Sequence, residues 1–192
     1  MRKVLLFISP ILFLISCSDG GGGNGSNTDN QTSNRTSLLE NVTNNIIIPS
    51  YNNLINDINN LSVTATLFTS NPTQQSLDQV RKAWVKTYVT WQTVEMFNIN
   101  MAEEIEYYKT MNTYPCSQND IDTNIFSGSY DLAISSKKSQ GLPALDYMLY
   151  GLNSDTNAII NYYTESNGSN YCKYLNDLIQ QMQTNTNAMI AD

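Results

Sequence analysis

Histidine is missing from all 192 residues of this chain. Its absence removes the commonest metal ligand and the side chain most used for proton transfer near neutral pH. Ser-His-Asp, Cys-His and His-ligated zinc chemistry are therefore excluded within the chain. Positive charge is also scarce, with 10 Lys and Arg against 17 Asp and Glu and a net charge of −7. Nothing resembles a basic cluster, and because phosphate contacts need Lys and Arg, no nucleic-acid partner is expected. Long apolar runs are lacking too, since a membrane span needs roughly 18–20 consecutive apolar residues. No alternating pattern of the strand type persists, so the periodicity that remains is helical.

The first 17 residues form a pattern of their own. Arg2 and Lys3 precede an apolar stretch over residues 4–15, and Leu14-Ile15-Ser16-Cys17 closes it. A positive start, a short apolar region and small residues at the cut describe a secretory signal rather than a membrane span. The ending resembles the bacterial lipobox, in which the cysteine accepts lipid and becomes the mature N-terminus. The expected boundaries are a lipoprotein signal over 1–16, lipidation at Cys17 and a flexible Gly/Asn/Ser tether over 17–36. Removal of residues 1–16 takes away Arg2 and Lys3, leaving 8 basic and 17 acidic residues and a net of −9. Such a surface is repelled by anionic head groups, so acyl chains rather than surface charge must hold the protein to a membrane.

Cysteine occurs three times. With Cys17 assigned to lipid, Cys116 and Cys172 remain, and in an oxidising compartment such a pair usually bonds. They lie 56 positions apart (172 minus 116), and a loop of that length is stabilised by roughly 4 kcal/mol in the chain-entropy account. The alternative is two buried free thiols.

Helical order is expected over 37–192, beginning at a capping box formed by Ser37 and Glu40. Leu38, Val42 and Ile46 follow at helical spacing, then Tyr51, Leu54, Ile55, Ile58, Leu61 and Ala65, with a kink or restart at Pro49. Asn71-Pro72 starts a long helix predicted to reach about Phe97, with the stripe Leu77, Val80, Trp84, Tyr88 and Trp91. A shorter helix is predicted over 101–111, an irregular connection over 112–125 and a short helix over 130–138. Further helices are predicted over 142–150, bracketed by Gly141 and Gly151, and over about 155–163. A turn follows at Asn167-Gly168. The last helix, from Tyr171, carries Leu175, Leu178, Ile179 and Met182. The predicted class is all-α, laid out as a four-helix bundle with irregular connections.

Three segments together resemble one family. Asn71-Pro72-Thr73 leads to Leu77, Ala83-Trp84, Tyr88 and Glu95-Met96-Phe97. Thr113-Tyr114-Pro115 precedes Ile121-Asp122-Thr123-Asn124-Ile125. The third segment is Gly141-Leu142-Pro143-Ala144-Leu145-Asp146-Tyr147-Met148-Leu149-Tyr150-Gly151. In order and spacing these are similar to the N-terminal half of imelysin-like proteins. The resemblance implies an envelope protein, often lipid-anchored, built from two related helical bundles and associated with iron uptake, with some members classed as metallopeptidases. It implies a site at Gly-x-His-x-x-Glu, where positions i and i+3 share one helix face and can converge on one metal. In this chain the motif positions are Gly141, Pro143 and Asp146, so the histidine is lost and the acid is one methylene shorter. The second bundle is expected to be missing or encoded elsewhere.

Asp146 is a candidate oxygen ligand for iron or another hard cation. The alternative is that Pro143 starts a helix and Asp146 sits in its first turn, favoured by the macrodipole. Extending the stripe of the long helix by four places Glu95 on the apolar face, where a carboxylate needs a partner, a metal or a raised pKa. The alternative is that the helix opens there and Glu95 reaches water or a cation. The tyrosines, among them Tyr107, Tyr108, Tyr147, Tyr150, Tyr162, Tyr163, Tyr171 and Tyr174, are either phenolate ligands for ferric iron or packing residues with satisfied hydroxyls. No catalytic residue is assigned.

The functional expectation is a lipid-anchored component of the bacterial envelope, at the outer membrane on its periplasmic or surface face. Its role would be non-catalytic, binding or accessory to iron acquisition, with envelope proteins as partners. The alternatives are an imelysin-type metallopeptidase or a structural member of a surface complex.

Overall fold

A computed structural model describes residues 27–99, 101–133 and 135–191. The signal, Cys17 and the first half of the expected tether lie outside those residues, while the second half, 27–36, is helical rather than irregular. The chain divides into Met1–Leu38 and Leu39–Asp192. No strand occurs among the described residues, and no helix there is long and apolar enough to cross a membrane.

Helix α1 spans Asn27–Val42 and runs into a π-helical turn, Thr43–Ile47, before α2, Ile48–Ser70. Ser37 therefore lies inside a helix and caps nothing. The turn sits immediately before Pro49, whose ring crowds the carbonyl four residues back and whose missing N–H removes one rung of the ladder. The expected disturbance at Pro49 is thus a widened turn within continuous helix. Leu38, Val42 and Ile46 do not enter the core: Leu38 and Ile46 are exposed and Val42 is half-buried. The apolar stripe becomes a core only from Tyr51 onward.

α2 and α3 (Gln74–Trp91) form a hairpin. Thr73 caps α3 with a reciprocal pair: its Oγ1 accepts from Ser76 N at 3.1 Å, and its own N–H donates to Ser76 Oγ at 3.0 Å. α2 packs also along α9, Gly168–Ala191. Leu54, Ile58, Leu61 and Phe68 meet Leu77, Val80 and Trp91 on one side and Leu175, Leu178 and Met182 on the other. Full burial of each such side chain is worth about 1.5–3 kcal/mol. One polar tie crosses the hairpin, where Asp57 accepts from Lys86 Nζ at 2.6 Å and from Thr90 Oγ1 at 2.7 Å.

The fourth wall of the bundle is a relay of short pieces. They are α4 (Met101–Glu104), α5 (Tyr107–Asn112), α6 (Gln118–Ser127), α7 (Gly141–Asp146) and α8 (Thr156–Thr164). A 3₁₀ turn, Lys137–Ser139, precedes α7, and a π-helical turn, Tyr147–Gly151, follows it. The helix expected over 101–111 is broken at Glu106, whose φ of 50° is left-handed. The stretch expected to be irregular contains α6, capped by Ser117, which accepts from Asp120 N, and closed by Gly128 at φ 64°. The helix expected over 130–138 is reduced to turns and the 3₁₀ piece. The last helix and its face of Leu175, Leu178, Ile179 and Met182 are as expected, beginning three residues earlier at Gly168.

Candidate functional site

The motif segment is held in place by its neighbours' side chains. Gly141 adopts φ +76°, and a Cβ there would stand 2.4 Å from Met111 O and 2.5 Å from Thr110 O. No residue but glycine lets α7 start this close to the end of α5. The carbonyls of α7 and the π turn are then taken by donors from outside. Trp84 Nε1 donates to Leu142 O at 3.0 Å, and Tyr163 Oη donates to Met148 O at 2.9 Å. Arg81 gives two hydrogen bonds to Leu149 O, from Nε at 3.0 Å and from an Nη at 2.7 Å, while its guanidinium carbon lies 4.5 Å from the Tyr150 ring centre. The segment is too short to close its own ladder, and these donors complete it.

So positioned, Pro143 and Asp146 form one side of a cleft of about 140 Å³, with Trp84, Tyr88, Asn112, Tyr114 and Cys116 around it. Trp84 and Tyr88 are the outer edge of the α3 stripe, half-buried and stacked at 5.6 Å with 23° between ring planes. The inner face of α3 is Leu77, Val80, Ala83, Thr87 and Trp91. Tyr114 is 84% exposed at the mouth. Asp146 is the last residue of α7, which starts at Gly141, so it is not in a first turn and gains nothing from the helix N-terminus. It is accessible, yet its carboxyl is partly desolvated by the walls of the cleft and held above its ordinary value. No hydrogen bond or ion pair reaches it among the described residues. Cys116 is raised as well, first by burial and then by the Asp146 charge.

Glu95 is a correction. α3 ends at Trp91, and beyond it Thr93 N to Thr90 O, Val94 N to Trp91 O and Phe97 N to Val94 O are i to i+3 bonds, with Glu95 N sharing Trp91 O as an i to i+4 bond. The tighter winding advances the phase, so Val94 turns inward, 1% exposed, and Glu95 faces solvent. Glu95 and Asp146 do not share the cleft.

The structure does not join Cys116 to Cys172, and each stands in it as a separate thiol. Cys116 lies in the connection that borders the cleft. Cys172, in the first turns of α9, points its Sγ toward Thr69 O at 3.7 Å and Tyr163 O at 3.8 Å. Neither is strongly activated, since burial raises both thiols.

The tyrosines resolve toward packing. Tyr107 Oη bonds Thr186 Oγ1 at 2.7 Å, Tyr174 donates to Ser139 O, and Tyr130 donates to Asp177 at 2.7 Å. Burial pushes Tyr107, Tyr163 and Tyr174 above their ordinary value, away from the phenolate form. As a metal centre the donor set is thin: among the described residues no three His, Cys, Asp or Glu side chains converge. Cys116 and Asp146 alone do not fit a closed iron or zinc site, which takes at least three protein ligands. Sequence reasoning placed Asp146 and Pro143 correctly in one helix but took Trp84 for core and missed Asn112 and Tyr114 as walls. The half-exposed flank of the α3 stripe was the available signal.

No curated protein matches the chain. Two crystal structures share its fold. One is from Parabacteroides distasonis ATCC 8503 and is designated an iron-regulated protein A precursor. It is 17% identical, with a TM-score of 0.66 over 90% of this chain and 46% of that one. The other, an imelysin-like protein from Psychrobacter arcticum 273-4, is 19% identical with a TM-score of 0.66, over 83% of this chain and 49% of that one. The chain therefore spans about half the length of these structures. The family model described as Imelysin (Peptidase M75) matches residues 47–192, three-quarters of the sequence, and the chain belongs to the imelysin family.

Proposed function

We propose that the chain is a lipid-anchored protein of the bacterial envelope whose helical domain binds a ligand and catalyses no reaction. The observation that carries the proposal is the cleft at the motif position. Proline stands where the family motif has histidine, and the remaining carboxylate has no second or third acidic or histidine ligand beside it. A peptidase would need a polarising metal or an equivalent base, and the donor set does not supply one. The iron-regulated designation of one structural relative supports an accessory role in iron acquisition. The residue pattern at 1–17 supports the anchor.

Two measurements test this reading. The purified protein is incubated with an unstructured peptide, with and without chelator; the expected result is no cleavage, and chelator-sensitive cleavage would overturn the non-catalytic role. Cys17→Ala is expected to move the protein out of the membrane fraction, and an acylated, membrane-bound variant would overturn the anchor.

A further inference from the structure

We infer that the cleft beside Asp146 is a receptor for a small organic ammonium ion, of the size and shape of tetramethylammonium or the choline head group. The inference deepens the binding role proposed above and rests on it. Three aromatic residues, Trp84, Tyr88 and Tyr114, line the cleft together with one carboxylate, Asp146, and among the described residues no basic side chain lines it. Aromatic faces attract cations through their quadrupole, and cages of such rings with a nearby acid are the recurrent receptor for alkylated ammonium groups. Such an ion is weakly hydrated and suits a small, half-apolar cleft better than a hard metal ion, which keeps its water unless several oxygens replace it.

Two further observations favour a cation. Among the described residues Asp146 has no hydrogen-bond or ion-pair partner, and the nearby Arg81 guanidinium is committed to Leu149 O and to the ring of Tyr150. That Arg81–Tyr150 stack lies next to Trp84, whose ring centre is 5.7 Å from that of Tyr150. The same aromatic surface therefore already holds one cation by its ring faces. The indole of Trp84 is also pre-set, since its N–H is fixed on Leu142 O, and a ligand finds the ring already oriented. The cleft of about 140 Å³ admits a head group and not a folded partner.

Isothermal titration calorimetry of the full chain with tetramethylammonium chloride and with choline chloride, against sodium chloride at equal ionic strength, tests the inference. Saturable binding of both ammonium ions is expected. The neutral isostere of choline, with carbon in place of nitrogen, should bind about tenfold more weakly. Asp146→Asn and Tyr114→Ala should each weaken the ammonium ions by about tenfold. Both side chains are exposed and unbonded, so the melting temperature should not move, and a variant that fails this check is replaced by Asp146→Glu, expected to retain binding. Equal binding of the isostere, or indifference to Asp146→Asn, overturns the ammonium assignment. Absence of any binding overturns it as well. The non-catalytic role fails by a different result, chelator-sensitive peptide cleavage, so the two readings are separable.

Discussion

Along α2, α3 and α9 each backbone closes its own hydrogen bonds, and what joins the helices is mainly apolar contact between Leu54, Ile58, Phe68, Leu77, Leu175 and their neighbours, with side-chain ties such as Asp57 to Lys86 added at the edges. The short-helix wall opposite is assembled differently. Its pieces are too brief to satisfy their own carbonyls, so Trp84, Arg81, Tyr163, Tyr174 and Gln140 reach across to Leu142, Leu149, Met148, Ser139 and Leu132. Non-directional burial tolerates exchange of one aliphatic side chain for another, whereas a side chain that caps a particular carbonyl does not. The cleft belongs to the second kind of structure, with the long helices supplying only Trp84 and Tyr88. The cleft thus sits where the backbone is irregular, on a scaffold that is regular elsewhere.

The comparison breaks most visibly in the long helices. Phe68→Ala removes a fully buried ring packed edge-on at 4.6 Å against Tyr163, and should cost about 3–5 kcal/mol in denaturant unfolding. In the wall, Gly141→Ala forces a Cβ against the Met111 and Thr110 carbonyls and should cost on the order of 3 kcal/mol. Gly128→Ala is its control. Gly128 also has positive φ, but its Cβ would meet only the movable side chain of Asn170, and about 1 kcal/mol is expected. Equal losses at the two glycines would deny the special packing of α7.

Smaller effects sharpen the same contrast. Arg81→Ala should cost about 1.5–3 kcal/mol, since a charged donor to a carbonyl is lost, with faster amide exchange confined to the 147–151 turn. Loss of protection spread along α3 would contradict the local role. At high pH the buried tyrosines set the sign. Their folded values are raised, Tyr51 to about 12 and Tyr107, Tyr130 and Tyr163 further, all mainly by burial. The folded state keeps their protons longer than the unfolded chain, so this stability is intact below about pH 10 and is lost as pH rises from there through the folded values. A melting temperature flat across pH 10–12 would refute it. The smallest expected change is none: reduction should leave both mass and melting temperature unaltered, as Cys116 and Cys172 are free.

The long-helix half was legible because stripes such as Tyr51, Leu54, Ile58, Leu61 and Ala65 repeat at helical spacing and are buried as that spacing requires. The end of α3 was not, because a shift from i+4 to i+3 bonding after Trp91 leaves no mark in composition yet turns Val94 inward in place of Glu95. α6 carried a readable signal in Ser117, three residues before Asp120, but the irregular reading of 112–125 rested on Tyr114-Pro115-Cys116. The cleft was half legible. Gly141, Pro143 and Asp146 mark one wall in sequence, but Asn112 and Tyr114 come from a connection whose course is set by tertiary contacts rather than periodicity. Counting cysteines likewise says nothing about which faces of the fold they occupy, and the structure leaves Cys116 and Cys172 unbonded.

The two tryptophans fall one in each environment, and this gives the molecule a pair of built-in optical reporters. Trp91 is 1% exposed and its indole N–H has no hydrogen-bond partner among the described residues, so its excited state relaxes in an apolar surrounding and should emit far to the blue. Trp84 is half-buried, hydrogen-bonded to Leu142 O and open to the cleft, and should emit to the red and be reached by aqueous quenchers. With no other tryptophan in the chain, a single emission spectrum resolves into core and cleft. The loosening of either can then be followed without any label.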